Sequence, residues 1–325
     1  MNKVVVIGGG SGAYTVLSGL KSLPQIKLTA IVSIADSGGS SGQLRDEFGI
    51  LPPGDIRQAI LALADPPIDY LVLRQLFNFR FSNGRGLDGH SFGNLMFTAL
   101  KEILGSEIKA IGALSRMLRL KGKVLPISLE KTHLCARLED GTIIRGESNI
   151  DIRLIKPELK ILDIFLDPSA KIYHRAKRAI LKANWLILGP GDLYTSILPN
   201  LIVKGTNQAL AKSKAKIIYI CNLMTKYGET TGFRAQDFVN EIINYLGPAK
   251  KNLGYILINS DTKIPNEIAS RYQKERSFPV KIDPQKKFPP KTKIIKTSLA
   301  AAGQLWRHDP EKLKKTMAKI IFHQR

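Results

Sequence analysis

Gly8, Gly9, Gly10, Ser11 and Gly12 follow the apolar run VVVI, and a second small-residue loop, Asp36-Ser37-Gly38-Gly39-Ser40-Ser41-Gly42, follows the run LTAIVSIA. Glycine lacks the Cβ that keeps a bulky anion away from the backbone, and successive N–H groups with serine hydroxyls offer donors to phosphate. Where such a loop opens a helix, the helix dipole also favours negative charge. The first loop meets the loose G-x-G-x-x-A pattern of dinucleotide folds, a weak signal alone, and Asp36 stands where those folds place a ribose-binding carboxylate. A nicotinamide fold does not require the glycines and serines that follow Asp36. Two neighbouring donor-rich loops suit a diphosphate-linked ligand, or a phosphate and a sugar. The plainer reading, that the glycines only shape tight turns, stays open.

Other residues carry weaker signals. Asp55, after LPPG and three residues before Gln58, reads most simply as a helix N-cap, with a ligand or Mg2+ role as the sharper alternative. His90, Ser91 and Asn94 open a helical pattern after Gly89, where capping and ligand contact are both open. Asn222 and Thr225 follow an apolar strand, on the edge where parallel sheets bind ligands. The stretch GPGDLYTS is placed similarly, but Ser196 lacks a recognisable His and Asp arrangement and is not read as a nucleophile. The five histidines, at 90, 133, 174, 308 and 323, show no i, i+4 zinc pairing, so no metalloenzyme is expected.

The elements that must hold these residues alternate. VVVIGG and LTAIVSIA have strand length and β-branched character, and the helix-like GAYTVLSGLKSL between them makes a strand–helix–strand unit with parallel strands. Helical spacing dominates from IRQAILALAD to EIKAIGALSRML. Residues 123–151 differ, because they alternate and contain Asp140-Gly141, a two-residue hairpin signal; an inserted antiparallel hairpin is expected there. KILDIFLD, WLILGPG, KIIYICNLMT and LGYILINSD then return to short strands separated by helices, and PEKLKKTMAKIIFH reads as a closing helix. The expected fold is α/β: a doubly wound, mostly parallel, Rossmann-like sheet with helices on both faces, in one domain over residues 1–325.

Composition agrees with that class. Of the 325 residues 44% are hydrophobic and 7% aromatic, an aliphatic balance suited to buried parallel strands. Cys135 and Cys221 stand apart in apolar runs, as buried reduced thiols would. No signal-peptide pattern opens the sequence and no apolar run reaches membrane-spanning length, so a cytoplasmic protein without a membrane span is expected. The net charge of +22 invites a nucleic-acid reading, yet the lysines and arginines are dispersed. The one denser stretch, residues 274–296, is broken by four prolines and lacks interleaved aromatics for stacking bases, so no nucleic acid is expected as a partner.

Six stretches carry a family resemblance: IGGGSGAYTVLSGLK, IADSGGSSGQLRDEFGILPPGDIRQAILALAD, GHSFGNLMFTAL, LEDGTIIRGESNI, LILGPGDLYTSILPNL and LWRHDPEKL. Together they resemble the gluconeogenesis-factor (YvcK) family, relatives of 2-phospho-L-lactate transferase (CofD), over nearly the whole chain. DSGGSSGxLR followed by LPPGD is the most specific part. The resemblance implies a cytoplasmic protein that binds UDP-sugars, such as UDP-N-acetylglucosamine, and supports cell shape and envelope synthesis on gluconeogenic carbon sources, with no established reaction. It needs no cofactor, leaves room for Mg2+ and for a homodimer, and makes envelope-synthesis proteins candidate partners. On this sequence it implies that the loops at 9–12 and 36–42 hold the diphosphate, that Arg45 adds charge, and that Tyr272 and Arg307 contact the nucleotide sugar. A ring stacks on uracil and a guanidinium grips phosphate; a salt bridge to Asp309 or Glu311 is the alternative for Arg307. Two other function classes stay open, a phosphotransferase on the same diphosphate site and an NAD-dependent oxidoreductase.

Overall fold

The β-branched runs at the start of the chain form the middle of a parallel sheet. The computed structural model describes residues 1–66, 69–83, 86–261, 263–301, 303 and 305–322, so His323 lies outside the described residues. Asn2–Ile7 (β1), Gly10–Leu20 (α1) and Ile26–Val32 (β2) open the chain, and β1 and β2 pair in parallel from Asn2–Ile26 to Ile7–Ile31. Five helices follow: α2 (Gly39–Phe48), α3 (Pro53–Leu63), α4 (Tyr70–Asn78), α5 (Phe92–Leu104) and α6 (Glu107–Met117). Next come β3 (Lys123–Pro126), β4 (His133–Leu138), β5 (Ile143–Arg145), α7 (Glu147–Asp151) and β6 (Ile161–Asp167). The last part alternates: α8 (His174–Leu181), β7 (Trp185–Leu188), α9 (Leu198–Leu201), α10 (Thr206–Lys212), β8 (Lys216–Ile220), α11 (Ala235–Leu246), β9 (Leu253–Asn259), α12 (Asn266–Lys274), β10 (Lys293–Thr297) and α13 (Pro310–Phe322).

Seven strands form one sheet in the order β10-β9-β8-β7-β1-β2-β3, and every pair in it is parallel. The central strands Val4–Ile7 and Ile217–Ile220 are buried throughout, as unbroken apolar runs require when helices cover both faces. The chain moves outward from β1 to β3, then returns to β7 on the other side of β1 and moves outward again to β10. That reversal opens a crevice at the carboxyl ends of β1 and β7, the place where doubly wound sheets bind ligands. The expected α/β, Rossmann-like class is the observed one.

Three local expectations change. KILDIFLD does not return to the main sheet: as β6 it pairs antiparallel with β4 in a separate sheet of order β5-β4-β6. Within it Ile164 and Leu166 are buried while Asp163, Phe165 and Asp167 are not, the period-two pattern of a sheet with one wet face. Residues 123–151 are split, because β3 pairs in parallel with β2 and only the later part forms the hairpin. Its loop has three residues rather than two: Leu138 N donates to Thr142 O at 2.8 Å and Gly141 takes a positive φ of 87°. Finally, the proline-broken basic stretch contains β10, an edge strand whose KIIKT sequence is short and charged at its start.

Candidate functional site

The crevice at the switch point measures about 470 Å3, and four loops meet in it: 9–12 after β1, 190–192 after β7, 222–226 after β8, and 306–308 before α13. The first loop opens α1, with Gly9 as N-cap in an extended conformation. Ser11 and Gly12 belong to the first helical turn and line the crevice; first-turn amides have no partner within the helix, and that of Gly10 is taken by Asp55. Two of the glycines are demanded by close approach. A Cβ on Gly12 would lie 2.0 Å from Pro190 O, and one on Gly9 would lie 2.1 Å from Asp55 Oδ2. Gly10 differs: its φ of +59° favours glycine, while a Cβ there would meet only Ser196 Oγ, at 4.0 Å.

Several crevice atoms are held ready for a polar guest. Asn222 Nδ2 donates to Gly191 O at 2.8 Å, which fixes the loop after β7 and leaves Asn222 Oδ1 buried without a partner. Trp306 Nε1 and His308 Nε2 are likewise buried and unpartnered. Burial lowers the His308 imidazole to about 4, so it is neutral at physiological pH. An orphaned buried polar atom costs about 1–3 kcal/mol, and three of them lie around this one crevice. Thr225 is buried, its hydroxyl accepting from Phe278 N at 3.0 Å, so it ties the segment 277–279 to the crevice. Arg307 is exposed at the rim, and among the described residues it forms no ion pair with Asp309 or Glu311. Tyr272 does not line the crevice; its hydroxyl accepts from Trp306 N at 2.9 Å and so positions the strip carrying Trp306, Arg307 and His308.

The second loop sits next door. Asp36 Oδ1 accepts from Gly38 N at 3.0 Å, and Gly38 is the N-cap of α2, which contains Gly39, Ser40, Ser41 and Arg45. Ser40 Oγ lies 3.1 Å from His90 Nδ1 and accepts from Asn94 Nδ2 at 3.1 Å; Asn94 Nδ2 also reaches Ser41 Oγ at 3.4 Å. Ser91, rather than His90 or Asn94, caps α5, accepting from Asn94 N. Ser37 N donates to Glu147 Oε2 at 3.4 Å and Ser37 Oγ accepts from Ser148 N at 3.1 Å, which docks the loop onto α7. Arg45 forms an ion pair with Asp46 at 2.9 Å. None of residues 36–45 lines the crevice.

Asp55 joins the two loops. It is the third residue of α3, not its N-cap, and its Oδ1 accepts from Gly10 N at 2.6 Å. Desolvation, with Asp36 nearby, raises its half-buried carboxyl to about 7. Glu147 rises to about 8 for the same reasons, burial first and then Asp36 and Asp151. A second acidic group lies beside the crevice. Asp151, Asp192 and Glu229 are close enough to share an ion, but Lys226 Nζ takes the central place, 2.8 Å from Asp192 and 3.0 Å from Glu229 and paired with Asp151 as well. Lys226, Trp306 and His308 escaped the sequence reading; the signal available was their place just past a strand or before the last helix. Both cysteines are buried and unpaired, and burial pushes the Cys221 thiol up to about 12.

Comparison with known proteins agrees with this fold. The family model described as 2-phospho-L-lactate transferase CofD matches residues 4–300. A putative gluconeogenesis factor of Thermotoga maritima is 46% identical over 281 residues, 86% of each chain. The gluconeogenesis factor of Bacillus subtilis is 38% identical over 323 residues, 98% of each chain. A crystal structure of a UPF0052 family protein from Bacillus halodurans superposes with a TM-score of 0.89 at 39% identity, covering 97% of this chain and 99% of that one. The chain belongs to the family described as 2-phospho-L-lactate transferase CofD, among the relatives named gluconeogenesis factor.

Proposed function

We propose that the crevice binds a nucleoside-diphosphate sugar, with UDP-N-acetylglucosamine as the probe ligand, and that the chain acts as a cytoplasmic regulatory protein rather than as a catalyst. The observation that carries this is the convergence of the α1 amides with three orphaned polar atoms, Asn222 Oδ1, Trp306 Nε1 and His308 Nε2, in one crevice. The amides receive a phosphate, and the orphans receive the uridine or sugar. Arg307, at the rim, reaches a phosphate as a fork of donors. The name gluconeogenesis factor borne by relatives supports a role in gluconeogenic growth. Support of cell shape and envelope synthesis, with envelope-synthesis proteins as partners and a homodimer as the assembly, completes the proposal.

Mg2+ fits only in company. Asp36, Asp55 and Glu147 face one another closely enough to raise the last two, yet among the described residues they do not form a group able to share an ion. Mg2+ commonly binds through one or two carboxylates plus phosphate oxygens, so Asp55 would hold it jointly with a bound diphosphate. The second reading, transfer of a phosphorus-containing group, draws on the same feature. A carboxyl held near 7 beside the phosphate loop is matched to proton transfer at neutral pH, and the family description names a transferase. An NAD enzyme is disfavoured, because Asp36 Oδ1 is engaged by Gly38 N and Asp36 lies outside the crevice. A thermal-shift panel separates the three. Stabilisation by UDP-sugars above that by GDP or NAD, with ligand recovered unchanged, supports the regulatory reading; consumption of the ligand supports transfer, and preference for NAD removes both.

A further inference from the structure

The opposite end of the sheet has a cavity of its own. At the amino ends of β8, β9 and β10 a hollow of about 470 Å3 is lined by ten residues, five of them lysines: Lys214, Lys216, Lys251, Lys291 and Lys293. None of the described lining residues is acidic. All five lysines are exposed, but the backbone beneath them is pinned. Asn252 Nδ2 donates to Leu210 O at 2.8 Å and to Ser213 O at 3.1 Å, which locks the turn bearing Lys251 onto the end of α10, next to Lys214. Thr292 Oγ1, between Lys291 and Lys293, donates to Leu253 O at 3.1 Å, and Lys293 is in register with Tyr255. The ammonium groups therefore spring from three fixed points around one concavity rather than from a mobile tail.

Lysines from three places around a hollow whose described lining residues include no carboxylate build a positive potential, which low-dielectric walls focus. A lysine is a compact point charge on a flexible stem, so it suits a ligand whose anionic oxygens vary in position more than one that presents a single planar fork. Tyr255 is the single aromatic among the hollow's described lining residues, so the hollow lacks the stacked platforms of a single-strand nucleic-acid track. We propose that this cavity binds a small anion carrying two or more phosphate groups, at a site separate from the crevice at the carboxyl ends of the strands.

Isothermal titration of tripolyphosphate and of ATP into the full chain tests it. One equivalent is expected at this cavity, with an affinity that falls steeply as salt is raised. In Lys251→Gln/Lys291→Gln that equivalent weakens at least tenfold, while circular dichroism and UDP-sugar binding are unchanged. Because both side chains are exposed, the variant should fold; as a second readout, tripolyphosphate should raise the melting temperature of the wild type and not that of the variant. Gly10→Val, which alters only the crevice, identifies any binding there, so this proposal and the UDP-sugar reading fail separately. Equal affinities for tripolyphosphate and ATP place recognition in the phosphates alone, and tighter ATP binding adds the base to the recognised group. Tripolyphosphate affinity that is unchanged in the lysine variant, or lost only in Gly10→Val, overturns the proposal. So does retention of an RNA oligonucleotide without binding of either phosphate compound.

Discussion

At the scale of single residues, Gly10 separates a ligand-binding loop from a mere turn. A Cβ at Gly10 meets nothing nearer than Ser196 Oγ at 4.0 Å, so Gly10→Val adds bulk inside the crevice without a clash in the protein. Its φ of +59° makes valine strained, and a loss of about 1–3 kcal/mol of stability is expected. UDP-sugar binding should fall at least a hundredfold in the folded variant. Gly39→Val is the contrasting case, since Gly39 has a φ of +42° with nothing within 4 Å and lies outside the crevice. It should show a similar strain cost with binding within about threefold of wild type, by the additivity of distant sites. If instead Gly10→Val only lowers the melting temperature and still binds, the glycines are turn-formers. Gly9 and Gly12 cannot make this distinction, because Asp55 and Pro190 already require glycine there.

At the scale of elements, the site depends on strips of chain held by a few hydrogen bonds, as the 306–308 strip is by Tyr272 and by Ala301 N donating to Arg307 O at 2.7 Å. Tyr272→Phe removes the acceptor for Trp306 N while keeping the ring, so the strip carrying Arg307 and His308 should loosen. A loss of about 1 kcal/mol in stability is expected from one hydrogen bond, with UDP-sugar affinity down several-fold; unchanged affinity would show that Tyr272 does not position the strip. The sequence made the βαβ unit and the first loop plain, because β-branched runs, a strand-to-helix turn and glycines coincide in adjacent residues. Asn222 and Thr225, named for their place after a strand, and Arg307, named from the family resemblance, line the crevice. What escaped the sequence reading depends on contacts distant in sequence. Asp55 looks like a cap from its neighbours, yet it acts on Gly10, 45 residues away. The second loop looks like a partner of the first, yet it docks on α5 and α7, which no local pattern announces. β6 has the composition of a core strand, and only its half-wet alternation betrays membership of the small sheet.

At the scale of the whole molecule, buried acids and one buried histidine set opposite slopes on stability against pH. Asp55, Glu147 and Glu229 have folded values of about 7, 8 and 8 against ordinary values of 3.8, 4.5 and 4.5. The folded state therefore binds more protons than the unfolded one above pH 4, and stability falls as pH rises toward 8. His308, lowered from 6.5 to about 4, works the other way: stability falls as pH drops below 6.5. Three acids outweigh one histidine, so melting temperature should fall as pH rises from about 5 to 8, and Asp55→Asn should make that fall shallower while still accepting from Gly10 N. A melting temperature that climbs steadily to pH 8.5 would contradict this. The central claim concerns the crevice, and isothermal titration of UDP-N-acetylglucosamine against NAD and GDP tests it most directly. The account predicts one saturable site per chain for the UDP-sugar, at least tenfold tighter than NAD or GDP and abolished in folded Gly10→Val. Tenfold tighter binding of NAD, or wild-type UDP-sugar affinity in folded Gly10→Val, would contradict it.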